Sequence, residues 1–473
     1  MIGLSRERLR RPIILAVAVV AGLAVALTSP PTGLSAAAMR AVGLLVWAII
    51  CWAGDALSDY VVALIMGIGW VALRIVPFDL AFACFSSSSW WMMVGALGIG
   101  VAVAESGLLR RVALLALRAL PPTYSGQTGG LILAGLLFSP ALPTVTGKTA
   151  VAAPFVLGMA KAMKLENRSR HTTGLFMSMF TGFGLMGPLF LTGTVTNFVI
   201  LALLPPATRA GISWGSWFFT YLPTMLIILI LSWLAILITC RPRRVEPLPR
   251  GYVAEQLASL GPIRGKELTT LLTLAVTVLL WIVGRWAGLD GAIVAMAALA
   301  FLSATGVIDR AAFQAKISWT GLIFVGITLN LAEVLPALEI DVWLGRTVAP
   351  LFAPLVDRPA LFFAVLMAAV FVVRQVLISD FAVVTLMMLV LGPVAGTAGI
   401  SPWAIGIATH LIVQSVWILP FQNDAYLVSH RAASDLLADQ PRAALLSVLI
   451  CAGSVVSVVM SLPWWRHLGL LAR

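Results

Sequence analysis

The sequence predicts an all-α polytopic membrane protein with about 11 transmembrane helices, two re-entrant hairpins and two inverted repeats. Three observations carry that prediction. The chain of 473 residues is 60% hydrophobic and only 11% charged, with a mean hydropathy of +1.02. Apolar runs of about 17 residues or more recur from end to end, each able to cross a hydrocarbon core of about 30 Å at 1.5 Å per residue. Finally, Trp91, Gly98 and Glu105 are matched at the same spacing by Trp319, Gly326 and Glu333, and Asn197 is matched by Asn423.

The elements follow in order. SRERLRR before PIILAVAVVAGLAVALT has the layout of a signal peptide, but the many spans that follow favour a retained first helix at 12–28. Residues 1–35 thus form a cytoplasmic tail and first helix. Spans at 36–53, 57–76 and 89–107 come next, then an amphipathic piece at 108–120. Pro140 and Pro143 split the apolar stretch 128–161, which reads as a re-entrant hairpin. A Gly-broken segment at 172–204 and a span at 215–240 close the first repeat, 36–240.

The polar stretch Arg241 to Glu267 reads as a cytoplasmic linker. The second repeat, 268–473, holds spans at 268–287, 289–308 and 318–337 and an interfacial piece near 340–356. A second hairpin at 360–397 and spans at 402–430 and 442–462 complete it. Five crossings per repeat is an odd number, so like halves must lie in opposite orientations. Inverted repeats point to a transporter with its binding site at the midplane, where broken helices meet. Helix N-termini there favour an anion, and freed carbonyls a cation.

The net charge of +12 does not imply a nucleic-acid partner, because the basic residues fall in short gaps between apolar runs. That pattern places the N-terminus inside and the chain, with many passes, in the lipid bilayer of the cytoplasmic (inner) membrane. Cys51, Cys84, Cys240 and Cys451 lie far apart without CxxC spacing, which supports neither a metal site nor a disulfide framework. An intramembrane enzyme would need a nucleophile and base, paired acids or a metal cluster, and the chain has no GxSxG and no HExxH. No enzyme activity and no organic cofactor are expected.

PTVTGKTAVAAP, Pro143 to Pro154, sets a lysine in a run of small residues. A phosphate-binding loop is excluded there, since Leu142 stands where that motif needs glycine. Lys148, and Asp380 at the matching place in the second hairpin, each cost about 2.5–3.5 kcal/mol at membrane depth when unpaired. Both should face a cavity or each other. The competing readings are that Lys148 snorkels to the interface and Asp380 caps a helix, while Arg374, ahead of the second tip with Gln375, either attracts an anion or snorkels outward. His410 and Gln414 read as packed or interhelical residues.

A family resemblance accompanies these residues. WMMVGALGIGVAVAESGLLRRVALLAL, PTVTGKTAVAAP, LTGTVTNFVI, LISDFAVVTLMM and WILPFQNDAYLV resemble, in this order and over residues 36–462, segments of the divalent anion/sodium symporter family. The resemblance implies a homodimer with a scaffold and a mobile, elevator-type transport domain. It implies small anionic substrates, di- or tricarboxylates or sulfate, with sodium as the usual driving ion. The alternative on a related fold is a cation/proton antiporter with Asp380 as its ion-binding carboxylate.

On that resemblance the substrate-binding candidates are Thr144, Thr146, Lys148, Thr149, Gly193, Thr194, Asn197, Ser379, Asp380 and Asn423. Thr144, Asn197, Ser379 and Asn423 are the candidate sodium ligands. Thr144, Val145 and Thr146 stand where the family usually has Ser, Asn and Thr, while Asp380 and Phe381 stand where it has Asn and Thr. Lys148 is therefore expected to stand in for a bound sodium. Asp380 is expected to pair with it or to take up a proton, which opens proton coupling and anion exchange.

Overall fold

The computed structural model describes residues 2–471, apart from 55, 246, 250, 285–287, 357, 376, 378 and 398. Residues 472–473 of the second repeat and residue 1 of the tail lie outside the described residues, as do positions 246 and 250 of the linker and 376 and 378 near the second hairpin tip.

Helix α1 (Ile2–Leu27) packs beside α2 (Ala36–Ala53). Ser35 starts α2 by accepting from the Ala38 N–H, a side-chain cap on one of the orphan amides of a first turn. Then come α3 (Asp59–Ala72), the short α4 (Phe78–Ala81) and α5 (Ser88–Ser106), capped by Ser87 onto Trp90. The basic amphipathic α6 (Leu108–Arg118) buries Leu108, Leu109, Leu114 and Leu117. Its Arg111 donates to both carboxylate oxygens of Glu267.

The first hairpin is α7 (Tyr124–Phe138) and α8 (Val145–Ala162). Prolines 140 and 143 cannot donate a helical N–H, so the chain turns between them. After it, α9 (Arg170–Phe180) loosens into a π turn at Thr181–Leu185 and two 3-10 turns, Gly187–Leu189 and Leu191–Gly193. It resumes as α10 (Val195–Leu203), followed by α11 (Pro206–Ala210) and the long α12 (Trp214–Thr239).

The linker departs from the expected polar loop: it contains α13 (Tyr252–Leu260), and α14 (Gly265–Val283) begins before its end. Helices α15 (Gly291–Ala304) and α16 (Arg310–Lys316) follow. The span expected at 318–337 is broken into α17 (Trp319–Thr328) and α18 (Leu331–Ala337). Asn330 fills the break, donating to Gly326 O at 2.6 Å and accepting from Cys84 N–H at 2.7 Å. Then come α19 (Ile340–Val356), the second hairpin α20 (Pro359–Arg374) and α21 (Asp380–Thr397), the broken pair α22 (Pro402–Ser415) and α23 (Asp424–Ala432), and α24 (Gln440–His467).

Among the described residues, six helical stretches, one of them the broken pair α17 and α18, are long and apolar enough to cross a membrane, and five shorter apolar helices join them. Leu226, Ile230, Leu234 and Ile238 on α12, and Leu272, Val276 and Leu279 on α14, are exposed, as lipid-facing side chains should be. The four cysteines are buried thiols.

An amphipathic helix, a hairpin, a broken helix and a long helix occur in that order twice. The two sets interlock: α8 packs on α23, α21 on α10, and α12 on α24, where Thr224 Oγ1 donates to Ser461 Oγ at 2.8 Å.

The first hairpin reaches the core because α7 approaches the π turn backbone to backbone. A Cβ on Gly135 would stand 2.1 Å from the carbonyl carbon of Gly182 and 2.3 Å from the Phe183 nitrogen. Gly135→Ala should therefore force the helices apart at a cost of about 1–3 kcal/mol. A lowered thermal unfolding midpoint in detergent is the expected result, and an unchanged midpoint would refute this close approach.

Candidate functional site

Both hairpin tips and both broken helices converge on one cavity of about 290 Å³, near the lower limit for ligand pockets of about 300–1,000 Å³ and so suited to a small ligand. Its wall is made largely of helix starts. Asp59 opens α3, Thr144 to Thr146 open α8, Thr194 to Thr196 open α10, Ser318 precedes α17, Ser379 to Phe381 open α21, and Asn423 to Ala425 open α23. A helix start carries the positive end of the helix dipole, although the Thr196, Ala382 and Tyr426 N–H groups are already taken by Thr194, Ser379 and Asn423.

Of the residues singled out by sequence, Thr144, Thr146, Thr194, Ser379, Asp380 and Asn423 line this cavity. Lys148, Thr149, Gly193 and Asn197 do not; they lie behind its wall. Thr149 is fully buried, with its hydroxyl donating back to Val145 O at 2.9 Å. Asn197 donates to Phe190 O at 2.7 Å, closing the unwound segment on itself, and its Oδ1 has no partner.

Lys148 is fully buried and its Nζ donates to Gly193 O at 2.9 Å. The expected pairing of Lys148 with Asp380 is therefore overturned: the ammonium turns to a carbonyl freed by the break in its own half. Snorkelling is overturned with it. The carbonyl is reachable because glycines line the break: a Cβ on Gly193 would stand 2.3 Å from Gly187 O, and one on Gly187 only 3.4 Å from Lys148 Nζ.

Asp380 pairs instead with Arg374, the last residue of α20. Arg374 does not snorkel outward; its side chain is fully buried. The guanidinium donates to Leu377 O at 2.9 Å, to Val413 O at 3.4 Å, to Gln422 O and to the Asp380 carboxylate. One arginine thus joins the second hairpin to both sides of the break between α22 and α23.

Charged side chains crowd the expected sodium ligands, although Asn197 Oδ1 keeps no partner. Between the first tip and its broken helix Gly193 O already accepts from an ammonium, and in the second half the carbonyls accept from a guanidinium. Of the side chains, Ser379 Oγ donates to Asp59 Oδ2 at 3.3 Å, and Asn423 Oδ1 accepts from Tyr426 N–H at 3.0 Å.

Sequence reasoning missed Asp59, Asp424 and Gln414 as parts of this wall. Gln414, read as an interhelical contact, is only 7% exposed, and its Oε1 has no partner. The usable signal was a glutamine in an apolar span, where a polar side chain is costly unless it meets a cavity or a partner. The repeat-matched Glu105 and Glu333 hold Lys316, at 2.5 Å, and Arg209, at 2.9 Å.

Paired hairpins and broken helices around an internal cavity are the architecture of secondary transporters built from internal repeats. Within that class the sodium:sulfate symporter transmembrane region family matches residues 10–471, and the chain belongs to that family. The chain is 27% identical to dicarboxylate transporter 2, chloroplastic, of Spinacia oleracea over 66% of its own length and 56% of that protein. It is 24% identical to the L-tartrate/succinate antiporter of Escherichia coli over 57% of its length and 56% of that protein. The chain thus spans a little over half the length of each. Its fold is similar to that of the YdaH transporter of Alcanivorax borkumensis, with a TM-score of 0.59 at 14% identity, covering 91% of this chain and all of that one.

Proposed function

We propose that this protein is a secondary transporter of small anions, di- or tricarboxylates or sulfate, and that it exchanges one anion for another without sodium. Lys148 carries the reading: a fixed ammonium holds the carbonyl between the first hairpin tip and the broken helix facing it. Arg374 does the same in the second half. A cation that cannot dissociate supplies charge to the site and cannot supply the free energy of an ion gradient. Exchange needs none, and the Escherichia coli relative that is named an antiporter fits this reading.

In this proposal the substrate's carboxylates or sulfate oxygens meet Thr144, Thr146, Thr194 and the N–H groups that open α8. Residues 36–240 and 268–473 act as inverted repeats around the linker 241–267, in a homodimer whose transport domain moves as an elevator in the inner membrane, with the N-terminus cytoplasmic.

The test is uptake of labelled succinate and labelled sulfate into proteoliposomes, with sodium gradient, pH gradient and internal anion varied separately. Internal anion should stimulate uptake strongly, and a sodium gradient should not. Accumulation driven by sodium alone would overturn the reading and return the chain to ordinary symport.

A further inference from the structure

A separate cavity of about 570 Å³ shares no residue with the one between the hairpin tips. Its charged lining is Lys164, Glu166, Arg170, Arg243, Arg244 and Arg442, five cations against one carboxylate. Four helix ends bring them together. α8 ends at Ala162, before the turn that carries Lys164 and Glu166, and α9 begins at Arg170. Arg243 and Arg244 follow the end of α12, and Arg442 lies in the first turn of α24. Arg442 is held by Asp439 at 3.0 Å. Lys164, Arg170, Arg243 and Arg244 are exposed and have no ion-pair partner among the described residues. The first turn of α9 contains no acid, so the positive end of its dipole adds to their charge.

The depth of this cavity follows from the packing of α12 on α24. Trp464 Nε1 donates to Phe219 O at 3.0 Å and Thr224 Oγ1 to Ser461 Oγ at 2.8 Å, so the two helices run antiparallel. That register brings the end of α12 level with the start of α24. The exposed apolar residues Leu234 and Ile238 on α12, and Leu445 and Leu449 on α24, lead up to this end. About one helical turn beyond Ile238 and Leu445 stand Arg243 and Arg442. Cations one turn past the last lipid-facing side chains lie in the headgroup layer, where the abundant anion is a lipid phosphate. A guanidinium fork matches two phosphate oxygens at once.

We propose that this cavity is a binding site for an anionic phospholipid. Its headgroup phosphate lies among Lys164, Arg170, Arg243 and Arg244, and its acyl chains lie along the exposed apolar residues of α12 and α24. A soluble phosphate would use the same cations but gain nothing from those apolar rows. Because α8 carries the first hairpin tip, the bound lipid braces the base of that hairpin against α12 and α24. It therefore stabilises the folded chain by mass action.

The test uses the purified full chain in neutral detergent at fixed ionic strength. The probes are dioleoyl phosphatidylglycerol, phosphatidylcholine with the same chains, and inorganic phosphate. Phosphatidylglycerol should raise the thermal unfolding midpoint saturably, and phosphatidylcholine and inorganic phosphate at the same concentration should not. By native mass spectrometry, the affinity for phosphatidylglycerol should fall about tenfold or more in Arg243→Gln/Arg244→Gln. It should also fall in Arg170→Gln, a change on a different element. Arg264→Gln/Arg310→Gln removes the same charge from exposed positions outside the cavity and should leave the affinity within about twofold. All variants should elute as monodisperse protein.

Equal retention of the two lipids would overturn the proposal. So would a phosphatidylglycerol preference that survives R243Q/R244Q and R170Q, or one lost equally in R264Q/R310Q, which would mark attraction to net charge alone. Stabilisation by inorganic phosphate with none from phosphatidylglycerol would overturn the lipid assignment in favour of a soluble phosphate.

Discussion

Lys148→Met abolishes anion exchange, by more than about tenfold, while changing stability by less than about 2 kcal/mol. Methionine keeps the length and volume of the buried stem and removes only the charge and its bond to Gly193 O. The orphaned carbonyl costs about 1–3 kcal/mol. Against that, a desolvated ammonium no longer has to be buried, and exchanging buried charge for apolar volume is often neutral or better. Folding thus stays near balance, but the site loses one of the two cations that offset its carboxylates. Thermal unfolding in detergent and exchange in proteoliposomes separate the effects. Lys148→Ser carries the argument further, because it vacates space beside Gly187 and Gly193 O. Sodium should then stimulate K148S and leave the parent unaffected; equal insensitivity of both would refute Lys148 as the occupant of a cation position.

Local chemistry made the helices legible. α2 matches its expected bounds of 36–53 because the apolar run is bracketed by Ser35, a side-chain cap, and Gly54. The first hairpin follows from two prolines. The break in the 318–337 span was hidden because its only mark is Asn330, whose partner, the Cys84 amide, comes from a distant loop.

The site was legible where function sits at a helix start, since sequence order alone puts Thr144, Thr194 and Ser379 at tips and breaks. Depth was not legible. Lys148 lies one turn beyond Thr144, yet Thr144 lines the cavity and Lys148 is sealed behind it, a difference set by the packing of α8 on α23 and on the π turn. The same limit governs partners. Arg374 reads as a snorkelling residue at a helix end until α22 and its break supply the carbonyls of Val413 and Gln422 that fold it inward.

Arg374→Met is expected to be more disruptive to folding than any change at Lys148. It leaves Asp380 without its ion pair and strips donors from Leu377 O, Val413 O and Gln422 O at once. Asp380 stays one-third exposed at the cavity wall, so the larger loss lies in the buried carbonyls, each costing about 1–3 kcal/mol when left without a donor. Methionine has no donor for the carbonyls, so the hairpin also loses its tie across the α22–α23 break. Asp380→Asn should be milder: Asp380 lies at the cavity wall, where water or ligand can serve the new amide, and Arg374 keeps its carbonyl acceptors. If the two act as one unit, R374M/D380N recovers part of the R374M loss, with a coupling of about 0.5–3 kcal/mol. The four thermal midpoints of that cycle measure it, and strict additivity would show that the pair is not the element joining the second hairpin to its broken helix. Exchange should not return in the double variant, because a thioether and an amide in place of the ion pair restore neither the positive charge nor the link across the break.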